Sequence, residues 1–154
     1  MNIETLIFRQ ATEEDLDAIV YMLSDDKMGS KRERYDHPLP ESYINAFHAI
    51  DGDPNIELIV ACDGDTVVGV QQVTFTPHIT YQGGCRATIE GVRTTSNERG
   101  KGLGSQLIRY AIQRAKERGC HIVQLTTDKQ RPDALRFYER LGFTASHEGL
   151  KLHL

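Results

Sequence analysis

The chain has 154 residues, 39% of them hydrophobic, and a formal net charge of −4 at pH 7. This length suits one domain with a single core. No apolar run approaches the roughly 18 residues of a membrane-spanning helix. Residues 1–9 also lack the basic-then-apolar order of a secretion signal. We therefore expect a single domain over residues 1–154, cytoplasmic and without a membrane partner.

Charge is distributed unevenly along the sequence. Residues 1–65 carry 15 acidic and 5 basic side chains, whereas residues 66–154 carry 7 acidic and 13 basic ones. The second part therefore favours an anionic ligand. A nucleic acid is not expected as a partner, because the pI of about 5.8 is far below the value above about 9 that is typical of nucleic-acid-binding domains.

The first third of the chain predicts one strand and two helices. Residues 5–9 have the composition of a strand, and Thr12 begins a helix whose apolar residues recur at helical spacing. Residues 25–40 are polar and broken by glycine and proline, which indicates a mobile loop with one helical turn. A second helix is predicted over residues 40–51, with Pro40 at its first position.

The remaining two thirds predict further strands and two longer helices. Strands are expected at 56–62 and 66–75, joined as a hairpin by Asp63-Gly64-Asp65, and at 86–94. Apolar residues at helical spacing then predict a helix from Leu103 to Gly119 and another over 134–141. Strands are expected at 121–127 and, as a final strand or hairpin, at 143–154. This order implies an α+β fold, a mixed sheet with helices on both faces.

A glycine-rich, basic loop joins a predicted strand to the longest predicted helix. Residues 90–105 read E-G-V-R-T-T-S-N-E-R-G-K-G-L-G-S. A helix start offers unpaired N–H groups and the positive end of the helix dipole, and glycines let a ligand approach the backbone closely. The loop therefore predicts a pyrophosphate site. The alternative is that the glycines serve only a tight turn between strand and helix.

Two other phosphate-binding motifs are excluded by their spacing. The mononucleotide loop requires Gly-Lys followed by Ser or Thr, which this chain lacks. The dinucleotide fingerprint requires G-x-G-x-x-G, whereas Gly100, Gly102 and Gly104 are spaced G-x-G-x-G. The sequence therefore favours neither a P-loop NTPase nor a Rossmann enzyme.

Two segments carry a resemblance to a known family. Residues 99–104, R-G-K-G-L-G, match [RQ]-x-x-G-x-[GA], and residues 134–143, A-L-R-F-Y-E-R-L-G-F, match A-x-x-F-Y-E-x-x-G-F. The chain thus resembles the GNAT family of N-acetyltransferases along nearly its whole length. The resemblance implies a three-layer α/β/α fold with a mostly antiparallel sheet. It also implies acetyl-CoA as co-substrate, with no metal.

The resemblance also assigns the coenzyme-binding residues. Backbone groups of the strand would bind the pantetheine arm and thioester, with the Val92 N–H as oxyanion donor, and the loop amides would bind the pyrophosphate. The assigned residues are Val92, Arg93, Thr94, Arg99, Gly100, Lys101, Gly102, Leu103, Gly104, Ser105, Arg131 and Phe137. Arg131 replaces the family's usual Asn, and it could pair with a coenzyme phosphate or cap a loop.

Two side chains are candidates for proton transfer. Glu90 lies two residues before Val92, so strand alternation predicts the same face and a role as base for the amine. Its alternative is a structural ion pair with Arg86 or Arg93. Tyr138 is, by the resemblance, the acid that protonates the leaving thiolate. Its alternative is a core tyrosine with a satisfied hydroxyl.

The histidines and the three cysteines, Cys62, Cys85 and Cys120, show no metal or disulfide spacing. We read the cysteines as small buried side chains. Cys120 follows Gly119 and is far in sequence from the glycine-rich loop, so an acyl-cysteine route is not expected. The expected reaction is direct attack of a primary amine, from a small molecule or peptide, on the thioester. The alternative is a non-catalytic acyl-CoA-binding or regulatory module.

Asp25 and Asp26 either indicate a cationic acceptor or form a solvated acidic turn. The sequence leaves open whether the protein is a homodimer.

Overall fold

The computed structural model describes residues 1–154 as two compact units, Met1–Gln124 and Leu125–Leu154. The strands, all in the first unit, are β1 (Ile7–Gln10), β2 (Ile56–Asp63), β3 (Thr66–Pro77), β4 (Cys85–Thr94) and β5 (Ile122–Gln124). The helices of the first unit are α1 (Leu16–Ser24), α2 (Gly29–Arg32), α3 (Glu41–Asp51), α4 (Thr80–Gly83) and α5 (Leu103–Glu117). The second unit contains α6 (Pro132–Arg140).

The five strands form one sheet in sequence order. The pairs β1–β2, β2–β3 and β3–β4 are antiparallel, whereas β4 and β5 are parallel. The parallel pair requires a crossover connection, and α5 provides it. The expected mixed, mostly antiparallel sheet is therefore confirmed, as is the β2–β3 hairpin, whose turn has Gly64 at φ +59°.

Helices pack on both faces of the sheet, as the sequence predicted. On one face, Leu16 and Ile19 of α1 and Phe47 of α3 share a core with Val60 and Val70 of the sheet. The other face carries a second core, formed by α5 and the strands; its buried members are Ala61, Val68, Leu103 and Leu107. Successive residues of β2, such as Val60 and Ala61, therefore lie in different cores, as expected of a strand that is buried on both faces.

The predicted final strand at 143–154 is wrong. Its alternating residues Leu150, Leu152 and Leu154 are exposed by 92%, 87% and 117%, and the segment forms no strand. Alternation specifies which side chains share a face, but it supplies no backbone partner, and a strand forms only with one.

Smaller differences concern the ends of elements. β5 has three residues where seven were predicted at 121–127, and Pro40 is the N-cap of α3 rather than its first residue. The single helical turn expected within residues 25–40 is α2. No helix combines the length and the apolar character that crossing a bilayer requires.

Candidate coenzyme site

One edge of β4 is open over its second half. The pairing of β4 with β5 ends at Thr88 and Gln124, whereas β4 continues to Thr94. Just after the strand, the Thr95 N–H donates to Val68 O at 2.9 Å, on the β3 side. Because successive N–H groups of a strand point to opposite edges, the amides of Thr94 and Val92 point to the open edge. These are the two amides expected to meet the pantetheine arm.

A β-bulge interrupts β4 beside Val92. Val70 pairs with Arg93 and Gln72 with Glu90, so that Gly91 and Val92 together oppose one residue of β3. Gly91 has φ +62°, a left-handed conformation that glycine adopts without steric cost. The bulge locally disrupts the ladder and redirects the backbone at the predicted oxyanion donor.

The bulge also reverses the expected relation between Glu90 and Val92. Glu90 pairs with Gln72, which shares a face with Val70, and Val70 packs against α1. The Val92 side chain instead packs against the α5 core. The expectation that Glu90 and Val92 share a face is therefore wrong, because strand alternation does not hold across the extra residue.

The N-terminus of α5 has no side-chain cap. Its N-cap is Gly102, and the first helical backbone bond runs from Gln106 N–H to Gly102 O at 3.2 Å. The N–H groups of Leu103, Gly104 and Ser105 therefore have no partner within the helix, and glycine supplies no oxygen to cap them. Uncapped amides at the positive end of a 15-residue helix are suited to bind an anion.

The loop before α5 is built from turns that need glycine. Gly100 has φ +77° and Gly102 has φ +88°, so both glycines serve the turn as well as ligand approach. Two of the loop amides expected to meet pyrophosphate are already used, since Arg99 N–H donates to Ser96 O and Lys101 N–H to Glu98 O. The open amides are thus concentrated at the helix start itself.

Both cations of the loop lie beside acidic groups. Arg99 donates from Nη2 to the backbone oxygen of Asp25 at 2.7 Å, and the Asp25 carboxylate lies 3.8 Å away. Lys101 Nζ lies 3.3 Å from Glu98 Oε2. An incoming pyrophosphate would therefore meet cations whose charge is partly balanced, so the open amides must contribute much of the attraction.

Arg93 and Asp26 form a link that sequence reasoning missed. Arg93 Nη1 donates to Val92 O at 2.8 Å, while its Nε lies 3.4 Å from Asp26 Oδ2. Asp26 Oδ1 also accepts the N–H of Gly29, at the start of α2. The segment between α1 and α2 is thereby tied to the backbone at Val92. No local sequence pattern predicts this link, because Arg93 and Asp26 are far apart in sequence.

A buried glutamine anchors α5 on the sheet. Gln71 is fully buried, and its Nε2 donates to Leu107 O at 2.7 Å. A Cβ at the nearby Gly69 would lie 3.0 Å from Leu107 Cδ1, so glycine allows the close approach of helix and strand. The sequence signal for this anchor is the polar pair Gln71-Gln72 inside an otherwise apolar strand.

Asp25 and Asp26 are both engaged with arginines. These contacts fit neither carboxylates that are free for a cationic acceptor nor the alternative of a solvated acidic turn. The β3–β4 connection contains Tyr81 and Gln82 at φ 54° and 60°. Non-glycine residues in the left-handed region are uncommon and are enriched at binding sites.

Glu90 is exposed on the sheet face that packs against α1 and α3. Neither arginine considered as its ion-pair partner takes that role. Arg93 lies beside Asp26, and Arg86 contacts Thr80 and the ring of Tyr81. A solvent-accessible carboxylate is consistent with a base that works directly or through water.

The remaining predicted residues belong to the second unit. Tyr138 is half-buried in α6, with its ring centroid 5.0 Å from that of Phe137 and 5.9 Å from that of Phe143. Arg131 is the N-cap of α6. Its backbone N–H donates to Asp128 O, and its backbone oxygen accepts from Ala134. The backbone of Arg131 thus ends a loop and begins a helix.

No group of three or more His, Cys, Asp or Glu side chains is arranged to hold a metal ion. What the first unit offers is an uncapped helix start beside an open strand edge. This combination fits an extended ligand with an anionic group, such as a coenzyme with a pyrophosphate and an amide-bearing arm.

Comparison with known proteins agrees with this geometry. The family model described as Acetyltransferase (GNAT) family matches residues 18–143, a span that runs through both units. Aminoalkylphosphonate N-acetyltransferase from Salmonella typhimurium is 28% identical over 139 residues, which cover 90% of this chain and 85% of that protein.

Solved structures give the same fold. A crystal structure described as a transcriptional regulator from Bacillus halodurans C-125 has a TM-score of 0.95 and 67% identity, covering 97% of this chain and 99% of that one. A predicted acetyltransferase from Clostridium acetobutylicum, crystallised with acetyl-CoA, has a TM-score of 0.73 and 20% identity, covering 97% and 96%. With the family match over most of its length, the chain belongs to the GNAT family of acetyltransferases.

Proposed function

We propose that this protein binds acetyl-CoA and transfers its acetyl group to a primary amine of a small molecule or peptide. The observation that carries the proposal is the uncapped start of α5 next to the open edge of β4. Both features lie within residues 90–105, where the sequence resembles the coenzyme-binding segment of the family. The match of the family model to residues 18–143 supports one functional domain over both units.

In this proposal, the backbone of the first unit holds the coenzyme. The amides of Gly102 to Ser105 bind the pyrophosphate, and the backbone at Val92 and Thr94 hydrogen-bonds the pantetheine arm. The Val92 N–H then stabilises the oxyanion that forms when the amine attacks the thioester carbonyl. Arg93 and Asp26 act as positioning residues, because they hold the Val92 carbonyl and the α1–α2 segment together.

The amine nitrogen loses two protons during the reaction and the CoA thiolate gains one. The ammonium loses the first proton before the attack; the second leaves the nitrogen as the tetrahedral intermediate collapses and restores the hydroxyl that protonates the thiolate. Amines with a pKa near 10 are mostly protonated at neutral pH, so we assign Glu90 as the base that takes a proton from the amine. When the tetrahedral intermediate collapses, the C–S bond breaks and the CoA thiolate leaves. We assign the Tyr138 hydroxyl as the acid that protonates this thiolate. No acyl-enzyme intermediate is formed.

The acceptor is assigned only by class. Residues 21–50 and 75–82 would recognise it, and Glu90 lies on the sheet face that packs against α1 and α3. The pairing of Asp25 and Asp26 with arginines argues against a dedicated anionic pocket for a polycation. The similarity to an aminoalkylphosphonate N-acetyltransferase makes small amines that carry an anionic group the first candidates.

The test is release of CoA from acetyl-CoA in the presence of a panel of amines. The panel contains aminoalkylphosphonates, amino acids, polyamines, aminoglycosides, amino sugar phosphates and peptide N-termini. Turnover with at least one acceptor, accompanied by its acetylated product in a mass spectrum, is expected. If acetyl-CoA at saturating concentration neither shifts the melting midpoint nor gives CoA release, the coenzyme assignment is wrong.

A regulatory module that binds acyl-CoA without turnover is the second candidate. The observation that favours it is the description of the 67% identical protein as a transcriptional regulator. A salt-dependent gel-shift or anisotropy titration with genomic DNA fragments separates the candidates. Acetyl-CoA binding without turnover on the panel, together with specific DNA binding, would favour the regulator.

We further propose that the protein is cytoplasmic. We also propose that it can form a homodimer, which sedimentation analysis would test.

A further inference from the structure

Two thiols lie next to each other at the end of the first unit opposite to the coenzyme site. Cys85 begins β4 and Cys120 follows α5, and their Sγ atoms are 3.1 Å apart although the residues are 35 positions apart in sequence. Both are half-buried, whereas Cys62 is buried. The expectation of small buried cysteines therefore holds for Cys62 and is wrong for the other two.

Backbone hydrogen bonds fix the position of both thiols. His121 N–H donates to Cys85 O at 3.0 Å, which joins the residue after Cys120 directly to Cys85. Cys120 N–H donates to Ala115 O at 2.9 Å, at the end of α5. The sulfur atoms thus lie on anchored segments, and reaching the disulfide bond length requires an approach of about 1 Å.

We propose that Cys85 and Cys120 form a modification site at which a low-molecular-weight disulfide, such as oxidised glutathione, is exchanged for a reversible intramolecular disulfide. In the first step the thiolate of one cysteine attacks a sulfur of the small disulfide, which gives a mixed disulfide and one small thiolate. The second cysteine then loses its proton and attacks the protein sulfur, expelling the second small thiol. Two protein thiols are oxidised and one small disulfide is reduced.

The surroundings of Cys120 indicate which thiol reacts first. Burial, followed by its hydrogen bond to Cys85, raises the pKa of Cys120 to about 12. Cys120 therefore keeps its proton, and we assign the first attack to Cys85, since the thiolate is the nucleophile. Once Cys85 is in the mixed disulfide it can carry no negative charge, so one cause that opposes ionisation of Cys120 disappears.

The bond would close a loop that contains the whole coenzyme-binding segment, residues 90–105. Cross-linking a long loop restricts the unfolded chain and thereby stabilises the folded one. Val92 follows Cys85 by seven positions along β4, roughly 23 Å at 3.3 Å per residue. The disulfide should therefore stabilise the first unit while leaving acetyl-CoA affinity unchanged. This inference does not depend on the proposed function.

The test incubates the full chain with oxidised glutathione and counts alkylated thiols after denaturation. The expected product has one free thiol, Cys62, a mass lower by two hydrogen atoms and no bound glutathione. A peptide linked through Cys85 and Cys120 identifies the bond, and dithiothreitol reverses it. Three remaining thiols, a stable glutathione adduct on the wild-type chain or a disulfide-linked dimer would each overturn the proposal.

Single variants separate the roles of the cysteines. Cys120→Ser should retain glutathione on Cys85, because no second thiol can displace it, while Cys85→Ser should react more slowly. Cys62→Ser is the matched control and should still form the bridge. Loss of the bridge in Cys62→Ser would contradict the assignment. If a serine variant fails to fold, the alanine variant at the same position replaces it.

Melting curves of the oxidised and reduced wild-type chain complete the test. The oxidised form is expected to melt roughly 5 to 15 °C higher, in line with typical disulfide stabilisation in a chain of this size. An unchanged or lower midpoint would show that the bridge strains the native fold. That result would contradict the claim that the two thiols are pre-positioned.

Discussion

The proposed coenzyme-binding segment of the first unit and helix α6 of the second, which carries the proposed acid, are built differently. The first unit has two apolar cores, and its proposed site consists of backbone amides positioned by a bulge, a helix start and the buried anchor Gln71. In the second unit every side chain is half-buried or exposed. Its proposed contribution is one hydroxyl, that of Tyr138.

This difference separates binding from turnover. A backbone site depends on the path of the chain, so most side-chain substitutions in it should leave coenzyme affinity intact. A general acid depends on one functional group, and its loss should leave affinity intact while stopping the reaction.

Removal of the Tyr138 hydroxyl should have the largest effect. Tyr138→Phe is expected to lower kcat by about 10²- to 10⁴-fold, the usual contribution of a positioned acid, with acetyl-CoA affinity nearly unchanged. Steady-state kinetics, calorimetric titration and a melting curve on one preparation measure all three quantities. Tyr110→Phe is the matched control, because that helical tyrosine also packs its ring against a phenylalanine, at 5.1 Å.

Near wild-type turnover of Tyr138→Phe would remove the acid assignment and leave water as the proton donor. A loss of stability with a proportionate loss of activity would instead support the alternative of a core tyrosine.

Substitution of Gly102, the N-cap of α5, should show the opposite behaviour, with a loss of coenzyme affinity rather than of the rate of the chemical step. Gly100→Ala and Gly102→Ala both force a left-handed residue, since φ is +77° and +88°, at a cost of about 1–2 kcal/mol in stability. Only Gly102 adjoins the open amides, so only its variant should weaken acetyl-CoA binding at least tenfold, about 1.4 kcal/mol. Calorimetric titration of the two folded variants decides.

Equal affinities in the Gly100 and Gly102 variants would mean that both glycines serve the turn alone. The backbone account of pyrophosphate binding would then fail.

Replacement of Glu90 should affect the rate in a pH-dependent way. Glu90→Gln is expected to lower the rate about tenfold or more at pH 7, and a higher pH should partly restore it because free amine accumulates. The pH profile of kcat/KM is the measurement. Glu14→Gln removes another exposed carboxylate and should leave the profile unchanged. A loss of equal size at every pH would count against the base.

The smallest effect is expected at the contact between the acidic first part of the chain and the loop. Asp25→Asn frees the Arg99 side chain from a carboxylate 3.8 Å away, and should tighten acetyl-CoA binding by up to about fivefold at low salt. The gain should disappear at high salt. Asp51→Asn, at the end of α3, makes the same change in net charge at an exposed position of another element. An equal gain in acetyl-CoA affinity in both variants would show that the effect comes from net charge and not from the contact with Arg99.

The order of elements could be predicted from the sequence because it depends on local periodicity. The apolar positions of α5 recur at helical spacing up to Gly119, whose φ of +72° confirms the predicted helix end. The glycine-rich loop likewise predicts an uncapped helix start from the local sequence alone. Features that depend on the spacing of residues along the chain could therefore be predicted from the sequence.

Features that depend on pairing between residues distant in sequence could not be predicted in this way. The bulge at Gly91 changes the face of every residue after it, and Gly91 alone does not reveal the register with β3. The link between Arg93 and Asp26 and the contact between Cys85 and Cys120 arise only when the chain has folded. The predicted final strand failed for the same reason, because alternation in residues 150–154 supplies no partner strand.

The most direct test of the account is an acetyl-CoA titration of ¹⁵N-labelled protein followed by amide chemical shifts. If the backbone of the first unit binds the coenzyme, the largest shifts at saturation belong to the amides of Val92, Thr94, Gly102, Leu103, Gly104 and Ser105. Cys85, at the opposite end of β4, and its neighbour Cys120, which follows α5, should shift little. Saturation with these six resonances unmoved and large shifts elsewhere would contradict the claim that α5 and β4 form the coenzyme site.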